Sequence, residues 1–394
     1  MAEARNQVEA GQRLAVIDIL RGLIIVIMAL DHIRDYVHIS GFAIDPIDFH
    51  QSNPILYATR WVTHLCAPTF IFLAGVSAWL MRVRQDAGRL SRFLLTRGLW
   101  LIVLEVTVVG FGWEFQLPMP MFLAILWAIG WCMIALAAMV FLPRPAVLAV
   151  GLIITFGHDL LDGVDPASFG AWAPLWDFLF QGNVFKVGGF DIFLFYPVLP
   201  WIGVIALGYG LGDLFLSPRR DRWLSLIGGG MLLAFVVLRW SHLYGNPRPW
   251  AVQDTLAHTV MDFMNVGKYP PSLLYVCATL GITLSLAPWL ARLPDRVAGF
   301  FRTFGSVPMM AYLAHLYIMH AVAIAAHLIA GRNLHGQFDT IWYEVMNPDY
   351  MKGTDLPLWV VYVCWVAIIA LLYPVCRYWQ GLKQRRKDWW LSYL

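Results

Sequence analysis

Long apolar runs recur along this chain, and short polar segments separate them. About ten of these runs approach the roughly 20 residues that an α-helix needs to cross a bilayer. The pattern predicts an all-α fold, a polytopic integral membrane bundle of about ten helices that forms one domain over 1–394. A polar leader at 1–13 precedes it, and a basic tail at 380–394 follows it. The predicted spans are 14–37, 57–81, 93–112, 121–142, 145–161, 195–216, 223–240, 271–290, 304–330 and 357–379.

Basic residues fall in alternate loops between these spans. Arg82 and Arg84 follow the second span and Arg219 follows the sixth, whereas the intervening loops are poor in Lys and Arg and contain acids such as Asp45 and Asp162. Loops rich in Lys and Arg stay on the cytoplasmic side of a membrane. We therefore predict that both termini are cytoplasmic, and that the protein resides in a bacterial inner (plasma) membrane with its other face toward an envelope compartment.

Composition supports this class and excludes an ordinary soluble domain. Hydrophobic residues make up 59% of the chain and charged residues only 13%, against roughly 25% charged in soluble domains. All five cysteines fall inside predicted spans without a CxxC pair, so neither a disulfide framework nor a zinc site is indicated. We expect membrane lipids and no nucleic acid among the partners, and small-residue faces on several helices are compatible with a homodimer.

Ionisable residues within membrane spans are candidate functional groups, because burying them is costly. In the first span, polar residues recur three or four positions apart and therefore share one helix face. They form an inner cluster of Asp18 and Arg21 and, roughly 20 Å further along the axis, an outer cluster. An ion pair that fixes the helix end explains the inner cluster equally well. The outer cluster, which favours a reaction site, consists of Asp31, His32, Arg34 and Asp35.

Other spans bring further titratable groups toward the same depth. Arg60 and His64 lie four residues apart at the outer end of the second span, and His64 is predicted level with His32. Two imidazoles beside carboxylates suit proton transfer near neutral pH; two unrelated structural histidines are the simpler alternative. In the ninth span, Tyr312 and His315 lie three residues apart near the bilayer midplane.

The histidines and aspartates do not show the spacing of a known metal-binding motif such as HExxH, so no metal is expected.

Four segments together resemble a known family. Residues 13–35 read RLAVIDILRGLIIVIMALDHIRD, 60–78 read RWVTHLCAPTFIFLAGVSA, 268–281 read KYPPSLLYVCATLG and 304–320 read FGSVPMMAYLAHLYIMH. They resemble the heparan-alpha-glucosaminide N-acetyltransferase-like family. The resemblance implies a transmembrane N- or O-acyltransferase, with acetyl-CoA as the cytoplasmic donor and a saccharide or small amine as the acceptor outside. The matching motif positions are Asp18, Arg21, Gly22, Pro68, Gly75, Tyr312 and His315.

The resemblance leads to a mechanistic hypothesis with several open assignments. Acetyl-CoA would dock at a cytoplasmic mouth formed by Asp18, Arg21, Arg82, Arg97 and Tyr312, whose arginines can pair with its phosphates. The family's catalytic histidine lies between its first two spans, which leaves His32, His50 and His64 as candidates, with Asp31 or Asp35 orienting the base. His315 would polarise the thioester carbonyl. Direct transfer and an acetyl-histidine intermediate both fit, and the acceptor-binding candidates are Arg34, Arg60, His50, Lys268 and Tyr269.

A proton-coupled transporter of a small solute is the rival reading, since polar groups at both ends of a bundle and a midplane histidine also serve transport. We find no inverted repeat in the two halves of the chain, which favours the enzyme. Binding of an acyl-CoA at the cytoplasmic end distinguishes the two.

Overall fold

A computed structural model describes residues 14–38, 44–117, 119–334, 337–338, 355–386 and 388–393. The predicted leader 1–13 lies outside the described residues, as does most of the loop predicted at 331–356 and part of the basic tail. Within the described ranges, the main helices are α1 (Ala15–Val37), α2 (Pro54–Arg82), α3 (Ala87–Glu114), α4 (Ile125–Met139), α5 (Arg144–Leu161), α6 (Leu199–Leu216), α7 (Arg220–Ser241), α8 (Leu256–Met264), α9 (Leu273–Leu290), α10 (Asp295–Gly305), α11 (Pro308–Ile329) and α12 (Leu358–Arg385).

Each predicted span coincides with a helix, and the chain is a multi-pass helical membrane protein. In the described part of the chain, 8 helices are long and apolar enough to cross a membrane. Two helices at predicted spans fall outside that set: α1 carries several charged residues, and α4 has only 15 residues. The total of ten spans therefore stays a prediction.

Two predicted span boundaries were wrong. The span at 304–330 joins the end of α10 to α11, but the helix breaks at Ser306 and Val307 and restarts at Pro308. Proline favours the first turn of a helix because it lacks the amide hydrogen that would go unpaired there. The span at 121–142 begins with residues 121–123, which form a strand.

The helices run between two ends of the bundle. We call proximal the end that holds the start of α1, the 83–86 turn and the α6–α7 connection at 217–219; the opposite, distal end holds the segments 44–53, 162–198 and 242–272. Helix α1 packs against α10, α11 and α12, helix α6 against α2 and α5, and helix α7 against α9. Of the 23 residues of α1, 15 are buried, so its polar residues meet groups from several other helices.

Glycines permit the closest helix contacts within the chain. A Cβ on Gly305 of α10 would lie 1.8 Å from the carbonyl oxygen of Asp18 on α1, and one on Gly208 of α6 would lie 2.0 Å from that of Phe72 on α2. At these sites the small residues, whose helix faces are compatible with a homodimer, serve contacts inside one chain. Gly229 on α7 has nothing within 4 Å of such a Cβ. A homodimer remains a prediction.

A small sheet covers part of the distal end, which the all-α prediction missed. Strands β1 (Met121–Leu123), β2 (Asn183–Val187) and β3 (Phe190–Leu194) form a sheet in the order β1–β3–β2. β1 is parallel to β3, with Met121 opposite Ile192, and β2 is antiparallel to β3, with Asn183 opposite Leu194. Gly188 and Gly189 both have positive φ, 58° and 85°, as a tight two-residue hairpin requires.

Candidate functional site

A cavity of about 840 Å³ opens at the distal end of the bundle. Its walls come from α1, α2, the end of α3, the distal end of α5, α11, strands β1 to β3 and the segments 44–47 and 246–272. Residues of helices and of loops distant in sequence therefore meet around one space. Eight residues predicted for the reaction and acceptor sites border it: Asp31, His32, Arg34, Asp35, Arg60, His64, Lys268 and Tyr269. Tyr312, which was predicted for the cytoplasmic mouth, borders this distal cavity instead.

An ionic cluster ties α1 to α2 at the cavity wall. The Nη1 atom of Arg60 donates hydrogen bonds to both carboxylate oxygens of Asp31, at 3.1 and 2.8 Å. The Nη2 atom of Arg34, on the next turn of α1, lies 3.1 Å from Asp31 and also contacts Asp35. Arg34 is only 3% exposed, and the nearby carboxylates offset the cost of burying its charge. These four side chains therefore form one ion-paired unit, and its two carboxylates do not act as independent bases.

A pair of histidines lies beside this cluster. The Nδ1 atom of His32 is 2.7 Å from the Nε2 atom of His315, and the Nδ1 atom of His315 contacts the carbonyl oxygen of Tyr312. A carbonyl oxygen can only accept, so Nδ1 of neutral His315 carries the proton and its Nε2 accepts. His32 must then donate from Nδ1, and its Nε2 holds a free lone pair. Within the described residues this Nε2 has no hydrogen-bond partner, and His32 borders the cavity.

His64 occupies a different environment. It is 1% exposed, and both ring nitrogens are buried without a hydrogen-bond partner among the described residues. The ring of Tyr275 packs edge-on at 5.4 Å, and its hydroxyl donates to the His64 carbonyl at 2.8 Å. Although His64 borders the cavity, its nitrogens are shielded from groups within it. Of the two imidazoles predicted at this depth, only that of His32 offers an accessible base.

Two other predicted residues lie outside the cavity wall. His50 is exposed in the 44–53 segment, with its ring centroid 4.0 Å from that of Phe49, so the structure does not bring it to the ionic cluster. His315 is fully buried behind His32, so it reaches the cavity through that imidazole and not directly.

Aromatic rings that the sequence analysis did not single out form one wall of the cavity. The ring of Phe122 stacks on those of Phe193 and Phe195, at 5.0 and 5.8 Å between centroids. Tyr196 meets Tyr269 edge-on at 5.3 Å. The Gly188-Gly189 hairpin signal between alternating apolar residues could have indicated this sheet, but not which rings would face the site.

The segment 242–272, which we call the lid, is held over the cavity by a buried arginine. Arg239, at the distal end of α7, is 3% exposed. Its guanidinium donates to four lid carbonyl oxygens at 2.6 to 2.9 Å, those of Arg248, Asp262, Phe263 and Asn265. Loops commonly carry binding residues when a rigid scaffold fixes them, and here the lid contributes Lys268 and Tyr269 to the cavity.

Several other buried polar groups near the site have structural partners. The Glu105 carboxylate accepts hydrogen bonds from the amides of Leu126 and Trp127, at 2.6 and 3.0 Å, and so caps the start of α4. Asp159 accepts from the amide of Leu273 at 2.9 Å, at the start of α9. Burial and, second, the charge of Asp159 raise the pKa of the nearby Asp162 carboxyl to about 6. Among the described residues, no group of three or more His, Cys, Asp or Glu side chains could hold a metal ion.

The proximal end holds a separate cavity of about 450 Å³, bordered by Asp18, Arg302 and Lys383. The basic residues predicted to share such a mouth do not border it. Arg21 instead contacts Ser77 of α2 and lies 3.4 Å from Asp18. The other two, Arg82 and Arg97, lie against the Gln85 carbonyl oxygen at 3.1 Å and the Phe93 ring at 5.9 Å respectively. The cavity is bordered by α1, by α12 and by the segment 299–307 of α10 and its end, so α2 and α3, which carry Arg82 and Arg97, do not contribute to it.

Only a thin apolar layer separates the two cavities along α11. Val307 borders the proximal cavity and Tyr312 borders the distal one; five residues of helix span roughly 7.5 Å. Ile25 of α1 and Ala311 of α11 are both fully buried in this layer. Polar groups thus approach the centre of the bundle from both ends.

Comparison with models of known protein families gives a match. The family model described as heparan-alpha-glucosaminide N-acetyltransferase, catalytic, matches residues 13–241, which is more than half of the chain. The matched region includes the ionic cluster, His32 and His64, and it ends before Lys268, Tyr312 and His315. The search of curated proteins finds no match to this sequence.

Proposed function

The chain belongs to the heparan-alpha-glucosaminide N-acetyltransferase catalytic family, and from that premise we propose how this membrane acetyltransferase works. In our proposal it takes an acetyl group from acetyl-CoA at the proximal end and transfers it to an amine or hydroxyl of a saccharide-like acceptor in the distal cavity. The observation that carries the proposal is the free lone pair on Nε2 of His32. A general base needs an accessible acceptor atom within hydrogen-bond reach of the proton that it removes.

His32 and His315 would act together as a proton relay. The Nε2 atom of His32 accepts the proton that leaves the acceptor amine or hydroxyl as its nitrogen or oxygen attacks the acetyl carbonyl carbon. The Nδ1 proton of His32 can then pass across the 2.7 Å contact to Nε2 of His315. The resulting imidazolium keeps Nδ1–H directed at the Tyr312 carbonyl oxygen, and such charge-assisted hydrogen bonds are stronger than neutral ones.

The relay also accounts for the proton that the acceptor loses in the reaction. Acetyl-CoA supplies an acetyl group activated by its thioester, so a new C–N or C–O bond forms while the C–S bond breaks. The proton lost by the acceptor must finally reach the departing sulfur. Because His315 is buried behind His32, the proton returns across the 2.7 Å contact to Nδ1 of His32, and Nε2–H of His32, which borders the cavity, protonates the departing sulfur.

The proximal cavity supports a donor site whose residues differ from those predicted from sequence. Arg302 and Lys383 provide positive charge at its border, and guanidinium and ammonium groups pair well with phosphates. The thin layer at Ile25 and Ala311 leaves a short path to the distal cavity, which suits the extended pantetheine arm. The aromatic wall supports a saccharide acceptor, because aromatic rings pack against apolar faces and leave polar atoms for hydrogen bonds.

Acetyl-CoA binding and acetyl transfer to glucosamine test the proposal separately. Calorimetry on the detergent-purified protein should give saturable acetyl-CoA binding that persists in His32→Gln and weakens in an Arg302→Gln, Lys383→Gln double variant. Transfer of labelled acetyl to glucosamine should fall roughly 100- to 10,000-fold in His32→Gln. His50→Gln, an exposed histidine outside the cavity, serves as the matched control and should keep its activity.

Three outcomes would change the conclusion. A folded protein that binds neither acetyl-CoA nor a longer acyl-CoA would exclude the donor site and favour transport. Full activity of His32→Gln with loss of activity in His64→Gln would assign the base to His64. Weaker acetyl-CoA binding in Arg21→Gln or Arg97→Gln than in the Arg302→Gln, Lys383→Gln variant would restore the donor site predicted from sequence.

A further inference from the structure

A second proximal cavity, separate from the one at Asp18, lies between the ends of α7 and α9. It has a volume of about 630 Å³ and is bordered by Ser217, Arg219, Arg220, Arg222, Trp289 and Arg292. The two helices that form it are held closely together, since a Cβ on Gly228 of α7 would lie 2.7 Å from the backbone nitrogen of Ser285 on α9. The cavity is therefore a fixed feature of this helix pair.

The charges of this cavity are unbalanced. Four guanidinium groups border it together with a single carboxylate, that of Asp221. Asp221 pairs with Arg220 at 2.9 Å and lies 3.8 Å from Arg292. In the described part of the chain, no carboxylate lies within ion-pair distance of the remaining two, Arg219 and Arg222. Like charges gathered in one concave site repel each other, and a bound anion would relieve that repulsion.

The surroundings indicate where the anion comes from. Helix α7 faces outward, since only 22% of the residues in its most apolar stretch are buried. Trp289 is 68% exposed and Trp223 is 43% exposed beside the arginines, and tryptophan side chains collect at the level of lipid headgroups. The arginines thus lie where an apolar, outward-facing surface meets the proximal end.

We propose that this cavity binds a phosphate ester, and that its source is the headgroup of an anionic phospholipid. Arg219 and Arg222 supply the unpaired guanidinium groups, and Trp223 and Trp289 anchor the same corner of the protein in the headgroup layer. Clusters of basic residues next to a membrane-spanning helix bind anionic lipids in this way. The site lies apart from the acetyl-transfer cavity and does not depend on the proposed reaction.

Native mass spectrometry and thermal melts in nanodiscs test this site. The full chain is compared in phosphatidylcholine alone and with added phosphatidylglycerol, together with the double variant Arg219→Gln, Arg222→Gln. Phosphatidylglycerol should bind saturably and raise the melting temperature, and loss of two cationic contacts should weaken its binding roughly 30-fold. The matched control is Arg84→Gln, Arg92→Gln, two exposed proximal arginines that border none of the three cavities described here.

Each outcome bears on the proposal. Loss of phosphatidylglycerol binding in the double variant but not in the control supports it, provided that both melt as wild type in pure phosphatidylcholine. The single variant Arg222→Gln replaces the double variant if the latter does not fold. Equal loss in variant and control would mean diffuse surface attraction and would overturn the site. Adenosine 3′,5′-bisphosphate that displaces the lipid only from the wild type would overturn the lipid source and assign the phosphate to a nucleotide.

Discussion

The contact between the two histidines leads to the sharpest test of the proposed mechanism. Replacing His315 with phenylalanine keeps a ring of similar size in the fully buried position but removes the acceptor that lies 2.7 Å from Nδ1 of His32. The residues that border the acceptor cavity and the donor cavity stay the same, because His315 borders neither of them. His32 itself remains, so any loss of activity reports on its protonation and not on its presence.

The size of the effect follows from the unpaired donor. In His315→Phe, the tautomer with Nδ1–H leaves a buried donor without a partner, which costs about 1–3 kcal/mol. The other tautomer places the proton on Nε2, toward the cavity, where no lone pair is left to act as a base. A penalty of that size corresponds to a fall of about 5- to 150-fold in kcat. The KM for acetyl-CoA should not change.

The assay is steady-state acetyl transfer to glucosamine, with melting temperatures to establish that each variant is folded. His327→Phe is the matched control, because His327 is fully buried on the same helix and does not border the cavity. Wild-type kcat in folded His315→Phe would refute the tautomer argument. A loss as large as that of His32→Gln would mean that proton transfer to His315, and not only its orienting hydrogen bond to His32, is essential.

Three further predictions concern stability. Gly208→Ala should lower the melting temperature, because its methyl group would overlap a backbone oxygen at 2.0 Å, whereas Gly229→Ala, with open space around it, should not. Glu105→Ala should lower it by unpairing two amides at the start of α4, and Glu105→Gln, which retains an acceptor, should lower it less. The raised pKa of Asp162, about 6, makes its neutral form the more stable one in the folded protein. The stability that Asp162 contributes is therefore fully present below its pKa in the unfolded chain, 3.8, and is lost as the pH rises through its folded-state pKa of about 6. Asp162→Asn lacks this titration, so its melting temperature should fall less between pH 4 and pH 7 than that of the wild type.

The helical architecture could be predicted from the sequence because one physical rule governs it. A backbone segment in hydrocarbon must satisfy its own hydrogen bonds, so long apolar runs become helices. The runs at 57–81 and 357–379 coincide with α2 and α12. The rule says little about segments outside the hydrocarbon region. For that reason the sheet at β1 to β3 and the break before Pro308 escaped prediction.

The candidate site was partly visible in the sequence. The steps of three and four residues in α1 set His32 and Asp35 on one face with Asp31 and Arg34 beside them, and in the structure all four border the cavity. The depth of His64 was also predicted, but the burial of its two nitrogens was not, since that depends on packing against Tyr275. The pairing of His32 with His315 joins residues 283 positions apart, and no local pattern encodes such a contact.

Hydrophobic periodicity and charge by themselves determined that this chain crosses a membrane as helices and which face of α1 carries ionisable groups, because both are properties of short segments. Only the tertiary structure decided which of those groups share a cavity. Arg21 and Arg302 both lie near the proximal end, yet only Arg302 borders the cavity there, since the rotation of each helix follows from its packing against its neighbours. The same packing leaves Nε2 of His32 open and shields the nitrogens of His64.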